Sequence, residues 1–286
     1  MAAIIDKFTR YCGSRMLAAL IACNVGVFLI LLIATIAGNR EGVSGNFSMP
    51  WLCVSSSTSI FLAHPWTLVT YMVTQYGFLH LFFNMLWLFW FGRFLLTTLS
   101  DRHLAFLYFG GGLTGGILFV AIYALFPGLS PAPTYLTGAS AAVLSVMTAS
   151  AVRTPDLRLM LFIFGEVKLK WVAIAAIVLT LLGVGGGNSG GQAAHVGGVL
   201  FGLAFSLLLK RGIDLSSRMR VTALPSRKKE RKNVVRDANA VARAAAGRLS
   251  DTERLDFLLD KIRISGYASL SGAERRELNA LSKKLN

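Results

Sequence analysis

The sequence predicts an all-α membrane protein: six membrane-spanning helices in one bundle, followed by a small cytoplasmic C-terminal helical hairpin. Three observations predict it. The chain of 286 residues is 54% hydrophobic with a mean hydropathy of +0.59. Charged residues make up only 15% of it, against about 25% in ordinary globular proteins. Those charges are clustered, so that Gly42–Gly92, His103–Val152 and Trp171–Leu209 contain no Asp, Glu, Lys or Arg.

A membrane helix needs about 20 apolar residues, and the spans follow in order. Met16–Gly38 forms the first. It is too long for a signal-peptide core and has no strong cleavage site, so it reads as retained. Leu79–Leu96 is the second span, Leu104–Phe126 the third and Leu136–Val152 a shorter fourth. The fifth, Lys170–Val184, is short and is expected to begin within LRLMLFIFGEVKLK. Ala193–Leu209 is the sixth. The N-terminal segment, the 93–102 and 153–170 loops and the tail are basic, whereas the 127–136 and 185–192 loops carry no charge. This alternation places both termini in the cytoplasm. Cys12, Cys23 and Cys53 then fall in three different compartments and form no disulfide framework.

The organisation expected is a six-span domain over 1–210, a basic linker over 211–249 and a helical hairpin over 250–286. From Lys210 onward the tail holds 19 Lys and Arg against 9 Asp and Glu, a net +10 of the chain's +15. Beside a membrane, that excess fits contact with anionic headgroups. Nucleic acid is not an expected partner, because SRKKERK lacks interleaved aromatics or a recognised fold. SDTE (Ser250–Glu253) and SGAE (Ser271–Glu274) read as capping boxes, each preceding a helix-period apolar pattern, with Gly266 ending the first helix. The hairpin holds no catalytic set and suits docking or regulation.

Ionisable groups inside spans are costly and point to function. His64 lies in the first outer loop and His103 at a span boundary. His80 and His195 each begin a span with no carboxylate near. Asn84 lies one turn from His80 on the same face. With the orientation above, His80, Asn84, Ser140 and His195, from the second, fourth and sixth spans, share one depth below the outer surface. Small residues permit close approach there: Gly138 and Ala142 around Ser140, the Ala194, Gly198 and Gly202 stripe, and Gly110–Gly116. A serine becomes a nucleophile when a base takes its proton. His195 is the candidate base, and no acid in the outer half of any span completes a triad. His80, Asn84 and the Ser140 N–H are candidate oxyanion donors. Taken singly, each feature also reads as helix packing, a proton relay or an interhelical hydrogen bond.

The stretches HLFFNMLWLFWFG (His80–Gly92), TGASAAVLS (Thr137–Ser145) and AAHVGGVLFG (Ala193–Gly202) resemble, in order and in span, the rhomboid family of intramembrane serine proteases. The resemblance covers about residues 10–210. It implies Ser140 as nucleophile, His195 as general base, and an oxyanion hole of His80, Asn84 and the Ser140 N–H. It also implies cleavage of transmembrane protein substrates in or beside their spans, with neither cofactor nor metal. Four positions depart from the family pattern. Thr67 follows Trp66 where Arg is common, Leu144 stands where a Tyr often packs on the base, Ala141 replaces a usual Gly, and FLLTTLS lacks a common Glu.

The expected reaction is hydrolysis of a substrate helix that enters laterally and unwinds locally, with the fifth span and GVGGGNSGGQ as gate. A catalytically silent, client-binding relative is the alternative reading. A transporter using His80 and His195 as proton or metal ligands is disfavoured by the lack of intramembrane carboxylates. With no secretory or mitochondrial address evident, a bacterial inner membrane is the expected location.

Overall fold

The structure is a computed structural model that describes residues 2–40, 48–130, 132–161, 165–183, 189–219, 251–265, 267 and 270–285. Its contacts divide into two units, Met1–Thr222 and Ala223–Asn286.

In the first unit, α1 (Ala2–Cys12) leads into α2 (Arg15–Arg40). Three short helices follow: α3 (Met49–Leu52), α4 (Thr58–Ala63) and α5 (Thr67–Thr70), with a two-residue strand β1 (Val54–Ser55) among them. Then come α6 (Phe78–Thr98), α7 (Asp101–Leu125), β2 (Tyr135–Leu136), α8 (Ser140–Arg153), β3 (Arg158–Leu161), β4 (Gly165–Lys168), α9 (Leu169–Leu181) and α10 (Ser189–Lys210). Among the described residues, four helices are long and apolar enough to cross a membrane: Arg15–Ala37, Phe78–Thr98, Asp101–Leu125 and Gly190–Lys210. The protein is an integral membrane protein on this ground.

Helix α8 is the hub. It packs against α6, α7, α9 and α10, and Ala141–Ser150 are buried without a break. A helix apolar on every side is stable only when neighbours surround it. Glycines set how near those neighbours come. A Cβ on Gly198 would lie 2.1 Å from the Ala141 carbonyl oxygen, and one on Gly202 2.3 Å from that of Ser145. On α7, a Cβ on Gly111 would meet Ser145 and one on Gly115 would meet Ala141. These are the stripes read from the sequence, and they bring three backbones into contact.

Two expected boundaries move. The fourth span was expected from Leu136, but α8 begins only at Ser140. Leu136 pairs instead with Val54, and Tyr135 with Ser55, in an antiparallel contact. Gly138, with φ +104°, then breaks any helix upstream of Ser140. The fifth span was expected to begin within LRLMLFIFGEVKLK. That stretch is an antiparallel ribbon, β3 with β4, registered Arg158↔Lys168 to Leu161↔Gly165. Arg158–Glu166 and Lys168–Asp156 ion pairs at 2.9 Å line it. The helix starts only at Leu169, giving 13 residues in α9. Of the proposed gate, residues 184–188 lie outside the described residues.

Away from the Ser140 end, α7 opens with a capping box in which Ser100 and His103 satisfy each other. Asp214, just past α10, takes Arg102 at 2.6 Å and faces His103 Nε2 at 3.4 Å. His103, read as an unremarkable boundary residue, is therefore part of a clasp between α7 and the end of α10.

In the second unit, α11 (Asp251–Ser265) and α12 (Gly272–Leu285) bury Leu258, Leu270 and Leu281 together. Arg254 pairs with Glu277, and Lys261 with Glu274. SGAE forms its capping box: Ser271 N–H donates to Glu274 at 2.7 Å and Glu274 N–H to Ser271 Oγ at 3.3 Å. The Lys261 hydrogen bond, seconded by that backbone N–H, holds the Glu274 carboxyl down at about 2. Ser250, Gly266 and most of the linker lie outside the described residues.

Candidate active site

Ser140 owes its position to the turn before it. The Gly138 N–H donates to Tyr71 O at 2.9 Å, and the Tyr71 hydroxyl donates to Gly112 O at 2.6 Å. This ties the turn to the loop before α6 and to the glycine face of α7. Ser140 is the first residue of α8, and the first backbone bond of the helix runs from Val143 N–H to Ala139 O at 2.8 Å. The N–H groups of Ser140, Ala141 and Ala142 therefore have no partner within the helix. They share the positive end of its dipole. At 1.5 Å per residue α8 is about 21 Å long, short of the roughly 30 Å hydrocarbon core.

Ser140 Oγ lies 2.7 Å from His195 Nε2. The contact joins α8 to the second turn of α10, and Gly198 on the same face lets the two helices close on it. Both side chains are half-buried. For Nε2 to accept the serine proton, the imidazole must carry its own proton on Nδ1. That Nδ1 is buried and has no hydrogen-bond partner. Among the described residues no carboxylate pairs with the ring. Leu144, where the family often has Tyr, is buried in α8.

His80 and Asn84 lie one turn apart on α6. The His80 ring covers the Gly138 turn: a Cβ there would be 2.6 Å from its Cε1 and 3.1 Å from its Nε2. Asn84 is buried, and its Nδ2 donates to Gln75 Oε1 at 2.9 Å. His80 thus packs on the serine turn, while Asn84 is held by Gln75, a residue that the sequence pattern did not single out. Gln75 and, beyond it, Asn24 belong to this neighbourhood. Their signal was present, since both are amides in otherwise apolar, charge-free stretches. A scan restricted to ionisable groups passes over them.

The loop before α6 is tied despite lacking Arg after Trp66. Trp66 Nε1 donates to Trp51 O at 2.9 Å, Thr67 Oγ1 to His64 O at 2.7 Å and Thr70 Oγ1 to Leu52 O at 2.8 Å. Thr67 is buried, while Trp51 and Trp66 stay exposed, as suits amphipathic rings at a membrane interface.

No curated protein matches the chain. Residues 62–212, more than half of it, match the family model described as the Rhomboid domain. That stretch runs from within α4 to just past α10 and takes in Ser140, His195, His80 and Asn84. The chain belongs to the rhomboid family.

Proposed function

We propose that this family member is an active intramembrane serine endopeptidase, with Ser140 as nucleophile and His195 as base. The observation that carries this reading is the 2.7 Å contact of Ser140 Oγ with His195 Nε2, made at a helix start whose first N–H groups have no partner within the helix. His195 Nε2 takes the serine proton as Oγ attacks the substrate carbonyl. The developing oxyanion is met by the Ser140 N–H, with His80 and Asn84. Collapse breaks the C–N bond, and His195 gives its proton to the leaving amine. A water, deprotonated by His195, then hydrolyses the acyl-serine and restores the enzyme. The shorter apolar helices Ser140–Arg153 and Leu169–Thr180 complete six spans. The basic loops favour both termini on the cytoplasmic side of a bacterial inner membrane. Substrates are transmembrane segments that unwind locally, since a hydrogen-bonded helix hides its carbonyls. Residues 1–210 form the protease domain, 211–249 a basic linker and 250–286 a helical hairpin.

The test is cleavage of a model single-span substrate in liposomes. Wild-type protein cleaves it, and Ser140→Ala and His195→Ala each lower the rate by more than about 10³-fold. Undiminished cleavage by Ser140→Ala sinks the assignment. If wild type neither cleaves nor reacts with a fluorophosphonate at Ser140, the chain is a silent, client-binding relative.

A further inference from the structure

A row of buried amides runs from the first long helix to the candidate site. Asn24 Nδ2 donates to Leu20 O at 2.9 Å and to the Tyr108 hydroxyl at 2.9 Å. Tyr108 in turn donates to Met72 O at 3.0 Å. Gln75 Nε2 donates to Asn24 Oδ1 at 3.0 Å, and Asn84 Nδ2 to Gln75 Oε1 at 2.9 Å. Asn24 and Gln75 are fully buried and Asn84 is 5% exposed. The row joins α2, the loop before α6, α6 itself and α7.

The direction of this row is fixed by its ends. Leu20 O and Met72 O are backbone carbonyls and can only accept. The nitrogen of Asn24 must therefore face Leu20 O, and it must also face Tyr108, whose own proton is committed to Met72 O. This turns Asn24 Oδ1 toward Gln75, which must answer with its nitrogen. The oxygen of Gln75 then faces Asn84, which must present Nδ2. Flipping any one amide would set oxygen against oxygen or nitrogen against nitrogen in a buried site, where an unpaired polar group is costly. The Leu20 and Met72 carbonyls thus dictate, through Tyr108, Asn24 and Gln75, which end of the Asn84 amide is a donor.

We propose that Asn24 and Gln75 are positioning residues for catalysis: they fix the Asn84 amide with its nitrogen bound on one side by Gln75, leaving the second N–H of that nitrogen for the oxyanion. The proposal rests on the reading of Asn84 as an oxyanion donor. It explains why α2 carries a fully buried asparagine, and why the loop before α6 carries a fully buried glutamine. The long helix α2, which supplies no group to the reacting atoms, thereby acquires a catalytic duty.

The experiment is a double-mutant cycle on the full chain in liposomes, with the model single-span substrate and with kcat and KM separated. Asn84→Ala lowers kcat by about 10²-fold, as loss of one oxyanion donor does. Gln75→Met, which keeps the shape and removes both hydrogen bonds, lowers kcat by about tenfold or more with KM little changed. Placed in the Asn84→Ala background, Gln75→Met costs nothing further, because its effect passes through the amide already removed. Gln75→Glu recovers most of the activity at acid pH, where a protonated carboxyl donates to Asn24 and accepts from Asn84 as glutamine does. Should Gln75→Met not fold, Gln75→Leu, which also removes both hydrogen bonds, is taken through the same cycle. Losses that multiply in the double variant overturn the proposal, as does an unchanged kcat in the Gln75 variant. An unchanged kcat in Asn84→Ala also overturns it, by removing its premise. Inactive Ser140→Ala in the same assay shows whether the nucleophile assignment survives that result.

Discussion

Gly138 meets two demands that no other residue meets together. Its φ of +104° is one that L side chains rarely adopt, and the space a Cβ would fill is taken by the His80 ring at 2.6 Å. Gly138→Ala therefore strains the backbone by on the order of 1–3 kcal/mol and pushes the imidazole off the turn that presents Ser140. The expected outcome is a folded protein with Tm lower by several degrees and cleavage reduced at least about tenfold, since small misplacements of reacting groups are amplified in rate. Gly128→Ala is the control, as nothing lies within 4 Å of a Cβ there. Equal activity of the two variants would show that His80 and the turn are not coupled.

Helix α10 approaches α8 through backbone rather than side chains, and that makes the contact unforgiving. The atoms a Cβ would strike at Gly198 and Gly202 are the Ala141 and Ser145 carbonyl oxygens, which cannot swing aside. Gly198→Ala, three residues after His195, must shift one helix relative to the other and lengthen the 2.7 Å contact. The expected cost is about 1–3 kcal/mol in stability, as for other overpacked cores. Cleavage should fall roughly 10²-fold for a displacement near 1 Å. Gly26→Ala on α2, which meets nothing within 4 Å, should leave cleavage unchanged. This packing was legible in the sequence, because small residues at four-residue spacing identify a helix face without any knowledge of its partner. So was the gathering of Ser140, His80 and His195, from polar residues at matched positions in charge-free runs. Two things were not legible. The start of α8 depends on Leu136 pairing with Val54, a contact across the sequence that a local hydropathy window cannot register. The β3–β4 ribbon hides in LRLMLFIFGEVKLK because four-residue strands carry too few alternations to compete with an apolar run.

At the scale of the whole molecule, the hydrogen bonds that place the four candidate residues lie, among the described residues, within Met1–Thr222. The second unit, Ala223–Asn286, has its own apolar cluster and ion pairs. The expected outcome is that a chain ending at Thr222 cleaves the model substrate within about twofold of the full chain in zwitterionic liposomes. The contribution expected of the tail is electrostatic. Residues 223–286 hold 15 Lys and Arg against 8 Asp and Glu. Each basic group near an anionic surface contributes about 1 kcal/mol of attraction, which salt screens over a Debye length near 10 Å at 0.1 M. A difference between the two chains that appears only with anionic lipid, and fades as salt rises, assigns the tail to the membrane surface. A loss of cleavage on truncation that is the same in both lipids and at every salt concentration would instead make the tail part of the catalytic fold, and the division at Thr222 would no longer describe how the protein works.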